Sequence, residues 1–109
     1  MKVESKGHTT IISHTEGSLT DFFEKLTVEF GNYRASNVVI DLNGCGHISS
    51  KDLKMFSAMA KEQKKAKKSF VICADTDYDK VSDKLVVVPT IQEAHDMIEM
   101  DEIERDLGF

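Results

Sequence analysis

Residues 38–53 read VVIDLNGCGHISSKDL, and this stretch decides the fold. Its first part is apolar except for Asp41, a composition typical of a strand buried on both faces. A Gly-Cys-Gly sequence at 44–46 predicts a turn. Ser49 and Asp52 then have the spacing of a capping box, in which side chains satisfy free backbone N–H groups at a helix start. The stretch therefore predicts a buried strand, a turn and a helix.

The flanking sequence adds further strands and helices in both directions. Strands are predicted at 2–5, 9–13, 38–42, 70–74 and 85–88, and helices between the N-cap Ser18 and Gly31, from Ser49 or Ser50 to the lysine cluster at 61–68, and after Thr90. About ten residues separate the last two strands, so the connecting helix must be very short. We expect one α/β domain over residues 1–109, with a mixed sheet of about four or five strands and about four helices.

Composition excludes several classes of protein. The net charge is −5 and the isoelectric point is near 5.3, which disfavours nucleic acid as the main partner. The lysines at 61–68 are expected to stabilise a helix C-terminus. Cys45 and Cys73 fit no zinc or CxxC spacing. No apolar run reaches the roughly 20 residues that span a bilayer, and residues 1–7 lack a signal segment. These features predict a cytoplasmic protein without a membrane partner.

A second interpretation concerns the Gly44–Ser49 turn. It approaches the GxGxxG pattern, whose backbone amides cradle a phosphate, but Ser49 replaces the third glycine. A small-ligand or nucleotide-phosphate site at this turn is therefore the alternative to a plain connection between strand and helix. The four histidines form no metal-binding motif, and no nucleophile has a marked base. We expect no metal, no cofactor and no enzymatic activity.

The acidic run Asp75–Asp79 is a weaker candidate for a cation site. It begins like a calcium loop, in which alternate carboxylates converge on one ion. Lys80 stands where that loop needs glycine, however, and Val86 where it needs a bidentate glutamate. The run is therefore interpreted as a solvated acidic loop.

The C-terminal residues 99–109 predict an acidic amphipathic tail. Met100, Ile103 and Leu107 fall at helical spacing among acidic residues and form a narrow apolar stripe. Such a stripe suits a groove on a protein partner or on a second copy in a homodimer. The other interpretation is that the stripe packs against its own domain.

The strand at 38–42, followed after six residues by Ser49-Ser50-Lys51-Asp52-Leu53, resembles the signature of STAS domains, the anti-sigma-factor antagonist family. In that family a similar strand leads to D-S-S-G-L, whose first serine is phosphorylated by a partner anti-sigma-factor kinase. The resemblance places Ser50 on that serine and Ser49 on the aspartate. Lys51 and Asp52 replace the second serine and the glycine. It implies a STAS-like fold and a docking surface at these four residues.

A closer resemblance is to short STAS-like proteins that end in an acidic tail of the kind seen at 99–109 and are associated with ribonuclease Z. Ribonuclease Z itself resembles a metallo-β-lactamase and needs an HxHxDH motif, which this chain lacks. The resemblance therefore implies an accessory role without nuclease activity. Taken together, the sequence predicts a non-catalytic regulatory module of bacterial signalling type, phosphorylated at Ser50 or Ser49 in the switch hypothesis.

Overall fold

Residues 1–108 are described by the computed structural model, and Phe109 lies outside the described residues. They form five strands and four α-helices. The strands are β1 (Lys2–Lys6), β2 (Thr9–Ser13), β3 (Asn37–Asp41), β4 (Phe70–Cys73) and β5 (Val86–Val88). The helices are α1 (Leu19–Glu29), α2 (Ser50–Leu53), α3 (Ser57–Lys65) and α4 (Ile91–Asp106).

The strands form one mixed sheet in the order β1-β2-β3-β4-β5. β1 and β2 are antiparallel, and the remaining pairs are parallel. The hairpin turns at Gly7, whose φ of 62° suits the first position of a two-residue loop that favours glycine. A 3-10 turn at Tyr78–Lys80 is the helical segment between β4 and β5. The predicted α/β class, mixed sheet and very short connection are confirmed.

The central strands β3 and β4 are buried on both faces of the sheet. Val38 and Ile40 contribute to the larger core, under α1, α2 and α3, while Val39 and Val71 contribute to the smaller core, under α4. Helices on the two faces are required because a parallel sheet buries both sides of its strands. Within residues 1–108, no helix is both long enough and apolar enough to cross a membrane.

The second predicted helix is not continuous. It divides into α2 and α3, with a 3-10 turn at Lys54–Phe56 between them. Leu53 and Phe56 are both fully buried. Residues three apart eclipse one another in a 3-10 turn, so the tighter winding places both side chains over the same part of the sheet.

The end of α1 also differs from the prediction. Gly31 was expected to stop the helix, but α1 ends at Glu29 and the chain continues as a 3-10 turn over Phe30–Tyr33. Gly31 lies inside this turn without the positive φ of a helix-ending glycine. The extra turn places Phe30 in the core, where its ring packs edge-on against that of Phe70 with 6.2 Å between the ring centroids.

The C-terminus of α3 is closed by a lysine where glycine is usual. The N–H of Lys67 donates to the carbonyl of Lys64, and the N–H of Lys68 donates to the carbonyl of Gln63. This pair of hydrogen bonds is the Schellman motif, which needs a left-handed residue. Lys67 occupies that position with a φ of 60°.

We predict that Lys67→Gly raises the free energy of unfolding by about 1 kcal/mol, because glycine adopts positive φ without the clash that a Cβ makes. Urea unfolding followed by circular dichroism measures the change. Lys65→Gly is the matched control, because it places glycine inside the last turn of α3 and should destabilise the protein by about 1 kcal/mol. Equal effects of the two substitutions would refute the assignment.

Candidate functional site

The turn after β3 has a conformation that glycine alone tolerates. The Asp41 carboxylate accepts the N–H of Asn43 at 3.0 Å, and a 3-10 turn over Asn43–Cys45 follows. Gly46 then has φ 73° and ψ −156°, a backbone region almost confined to glycine. Two residues later, the N–H of Ile48 donates to the carbonyl of Asp75 at 2.8 Å. The chain therefore enters α2 in a fixed position beside the end of β4.

Ser49 and Ser50 have different roles in the structure. The hydroxyl of Ser49 accepts the N–H of Asp52 at 3.1 Å, so Ser49 is the N-cap of α2. Ser50 is the first residue of the helix and is half-buried. Among residues 1–108, no protein group forms a hydrogen bond with its hydroxyl. Of the two predicted phosphorylation sites, Ser49 is exposed and caps α2, whereas Ser50 is half-buried and does not act as the cap.

We predict that Ser49→Ala lowers the free energy of unfolding by about 1 kcal/mol, since it leaves the Asp52 N–H without its cap. Ser50→Ala is the matched neighbour and should change stability by less than about 0.5 kcal/mol, because it breaks no hydrogen bond. Chemical unfolding of both variants measures the difference. A larger loss in Ser50→Ala would show that the cap is assigned to the wrong serine.

Lys51 and Asp52, the other residues of the predicted docking surface, are both exposed. The Asp52 carboxylate lies in the first turn of α2, where negative charge is favoured by the helix dipole. Only the Ser49 half of the predicted capping box is formed among the described residues. Ser49, Ser50, Lys51 and Asp52 thus form one polar surface at the carboxyl edge of the sheet, which we call the α2 surface.

The turn at Gly44–Ser49 is a poor phosphate cradle. The N–H groups of Cys45 and Ile48 are already used, donating to the carbonyls of Leu42 and Asp75. The carboxylate of Asp41 lies just before the turn and that of Asp75 lies beside His47 within it, and negative charge there repels an anion. These contacts favour a connecting role for the turn.

The acidic loop after β4 is held by contacts to neighbouring residues. Asp75 pairs with His47, with 3.5 Å between the Asp75 Oδ1 and the His47 Nδ1, and both side chains are more than half exposed. The Tyr78 hydroxyl donates to the carbonyl of Ala74 at 2.7 Å. Within residues 1–108, no three histidine, cysteine or acidic side chains come close enough together to hold a metal ion.

Neither thiol is activated as a nucleophile. Cys73 is fully buried, and burial, followed by the charges of Asp41 and Glu93, raises its pKa to about 12. Its Sγ lies 3.5 Å from the carbonyl oxygen of Thr90. Burial also raises the pKa of Cys45, which is only partly buried. Because the thiolate is the reactive form, both cysteines are weak nucleophiles at neutral pH.

The raised pKa of Cys73 predicts a loss of stability in alkali. Below its ordinary pKa of 9.0 the thiol is protonated in the folded and unfolded states alike. As pH rises from about 9 towards 12, the unfolded state loses a proton that the folded state keeps, so the free energy of unfolding falls. Urea unfolding at several alkaline pH values should show a smaller fall in Cys73→Ala. An unchanged fall would show that Cys73 contributes nothing.

The second half of α4 is attached to the sheet by polar side chains. Arg105 donates to the Ser69 hydroxyl and to the side-chain oxygen Oδ1 of Asn37, both at 3.3 Å. The Ser69 hydroxyl donates to Asp101 at 2.7 Å, and the Asn37 amide donates to Glu102 at 3.2 Å. The Asn37 oxygen also accepts the Ser69 N–H at 2.9 Å. We call these five residues the polar clamp.

Residues 99–106 of the predicted tail are therefore the second half of one continuous helix; Leu107 and Gly108 follow its end, and Phe109 lies outside the described residues. Successive helix residues are rotated by about 100°, so the residues of the clamp and the apolar stripe lie on opposite sides of α4. Met100, Ile103 and Leu107 are 57%, 59% and 66% exposed. The interpretation that the stripe packs against its own domain is wrong, because the clamp occupies the side that faces the sheet.

Sequence reasoning missed the polar clamp. Asn37 is the first residue of β3, Ser69 lies opposite it just before β4, and Arg105 lies 68 residues beyond Asn37. The signal that could have found them is the run of polar residues Asp101, Glu102 and Arg105 at the helical spacing that continues from the buried Ala94 and Ile98. The apolar stripe was predicted from the sequence, but no role was assigned to the polar residues on the opposite side of the helix.

A scan against protein-family models matches none to this chain, and a search of the curated proteins likewise gives no match. The function must therefore be inferred from the chemistry of its own surfaces.

Proposed function

We propose that this protein is a non-catalytic regulatory module that acts by docking onto another protein. The observation that carries the proposal is the outward face of α4, where Met100, Ile103 and Leu107 are each more than half exposed in a row. Water contact with three large apolar side chains is unfavourable by roughly 25 cal/mol per Å². Covering such a stripe with another protein surface recovers that free energy, and helical stripes of this spacing fit apolar grooves.

The α2 surface is the second docking site in the proposal. It lies at the carboxyl edge of the parallel strands, and its Lys51 and Asp52 side chains are exposed. We propose that the chain is a degenerate relative of the STAS family. The strand 37–41, the turn and the helix start at Ser50 support this proposal, since they follow one another as in the family's phosphorylated segment.

Phosphorylation at Ser50 would switch this surface electrostatically. A phosphate adds a charge of about −1.5 to −2 and would stand in the first turn of α2 near the Asp52 carboxylate. Repulsion between the two charges opposes the modification, while the helix dipole favours it. Ser49 is held as the N-cap of α2, and Ser50 has no such capping role, which supports Ser50 as the target.

Co-purification from native cells tests the proposal. We predict that the tagged chain recovers a specific protein partner, and that Lys51→Glu and Ile103→Arg each reduce the recovery severalfold, since they alter the two docking surfaces. Lys25→Glu is the matched control for Lys51→Glu, because it reverses an exposed helical lysine on α1. Mass spectrometry identifies the partner and reads phosphate on Ser49 and Ser50.

The identity of the partner separates the specific versions of the proposal. An anti-sigma-factor kinase together with phosphate on Ser50 would support the STAS switch. Ribonuclease Z with unmodified serines would support an accessory role instead. Recovery of no protein above the background of an empty tag would overturn the docking function and favour a small ligand.

A further inference from the structure

A groove of about 980 Å³ lies at the amino edge of the parallel strands, opposite the α2 surface. Its walls come from α3 and from the second half of α4, and Phe70 and Val86, the first residues of β4 and β5, contribute to its lining. Among residues 1–108, β5 is the last strand of the sheet and pairs only with β4. The groove therefore runs along an open edge of the fold.

The groove is basic although the chain is acidic. Six basic and three acidic residues line it, against a net charge of −5 for the whole chain. Its lysines are Lys61, Lys64, Lys67, Lys68 and Lys84. Among residues 1–108, none of these lysines forms an ion pair with an acidic side chain. We call this feature the lysine groove; it holds an excess of unneutralised positive charge.

An acidic and apolar surface lies immediately beside the lysine groove on the same molecule. The apolar stripe of α4 is flanked by Glu99, Glu104 and Asp106, which are exposed and form no ion pair among the described residues. Glu104 lies on α4 between the stripe and the groove, and it also lines the groove. A basic surface and an acidic apolar surface are thus neighbours, each without a partner.

We infer that the lysine groove of one copy receives the acidic outer face of α4 from a second copy, forming a two-fold symmetric dimer. The inference rests on the proposed docking function and names the occupant of the apolar stripe. In a two-fold dimer the same patch of each copy forms the interface. That patch must therefore contain both the basic groove and the acidic apolar stripe. The neighbouring groove and stripe meet this requirement.

Charge decides between two arrangements of the dimer, one with the stripe of each copy in the groove of the other and one with stripe against stripe. Two α4 helices facing each other alone would bring six carboxylates together, and like charges repel. Displacing the contact towards the groove places those carboxylates against unpaired lysines and still covers Met100, Ile103 and Leu107. The dimer leaves the two α2 surfaces free, so a partner that has two binding sites gains affinity by engaging both.

Sedimentation velocity of the purified full chain tests the dimer over about 5–200 µM, a range that spans micromolar dissociation constants. We expect the unmodified protein to dimerise in this range. Lys64→Glu should weaken the dimer by about tenfold or more, because it puts like charges in contact. Lys65→Glu, the adjacent exposed lysine outside the groove, should change the dissociation constant by less than about twofold.

Mixing two variants gives the sharpest result. Lys64→Glu and Glu104→Lys should each dimerise poorly alone, yet an equimolar mixture should dimerise, because both contacts in the mixed dimer join opposite charges. Ile103→Arg should abolish dimerisation, while Val28→Arg, which alters an apolar residue 86% exposed on α1, should not. Circular dichroism confirms that each variant is folded.

Three results would overturn the inference: a monomer throughout the concentration range, equal effects of Lys64→Glu and Lys65→Glu, or a mixture that associates no better than its components. Failure here is distinct from failure of the docking function. A monomer that still recovers a protein partner from cells refutes the dimer alone. A dimer that recovers no other protein refutes heterologous docking alone.

Discussion

The central strands β3 and β4 bury side chains on both sides of the sheet, and the remaining elements are arranged to cover them. α1 supplies Phe22 and Leu26 to one face, α2 supplies Leu53 and α3 supplies Met59. The other face is left to a single helix, α4, which contributes only Ala94 and Ile98 as fully buried apolar residues. One helix with so little apolar surface must be held to the sheet by something else.

The polar clamp is that additional attachment. Asn37 and Ser69 stand at the amino ends of β3 and β4, beyond the reach of the smaller core. Arg105, with Asp101 and Glu102 beside it, meets them with charge-assisted hydrogen bonds, which are stronger than neutral ones. The side of α4 towards the sheet is thereby polar in its second half. The apolar residues of that half have only the outer side left, so the clamp creates the exposed stripe.

The sequence was sufficient where the fold depends on local pattern. The strand at 38–42, the Ser49 cap and the short link between β4 and β5 follow from periodicity and spacing along the chain. The sequence was insufficient where the residues in contact are far apart along the chain. Asn37 and Arg105 come together only through the parallel register of the sheet, and the break between α2 and α3 follows from how Leu53 and Phe56 pack. Helical spacing places Arg105 on the sheet-facing side of α4, but no local pattern identifies Asn37 as its partner.

The positions of the two candidate surfaces follow from the direction of the parallel strands. A connection that leaves the carboxyl edge, as at Ser49, returns by a helix whose last residues lie at the amino edge. The α2 surface and the lysine groove are therefore at opposite edges of the sheet, and occupation of one does not block the other. The dipoles of α3 and α4 direct their negative ends towards the amino edge, where lysines are favoured. Stabilisation of a helix C-terminus by the lysines at 61–68 thus accounts for the position of this cluster. It does not account for Lys84, which lies in a loop before β5 and faces the same groove.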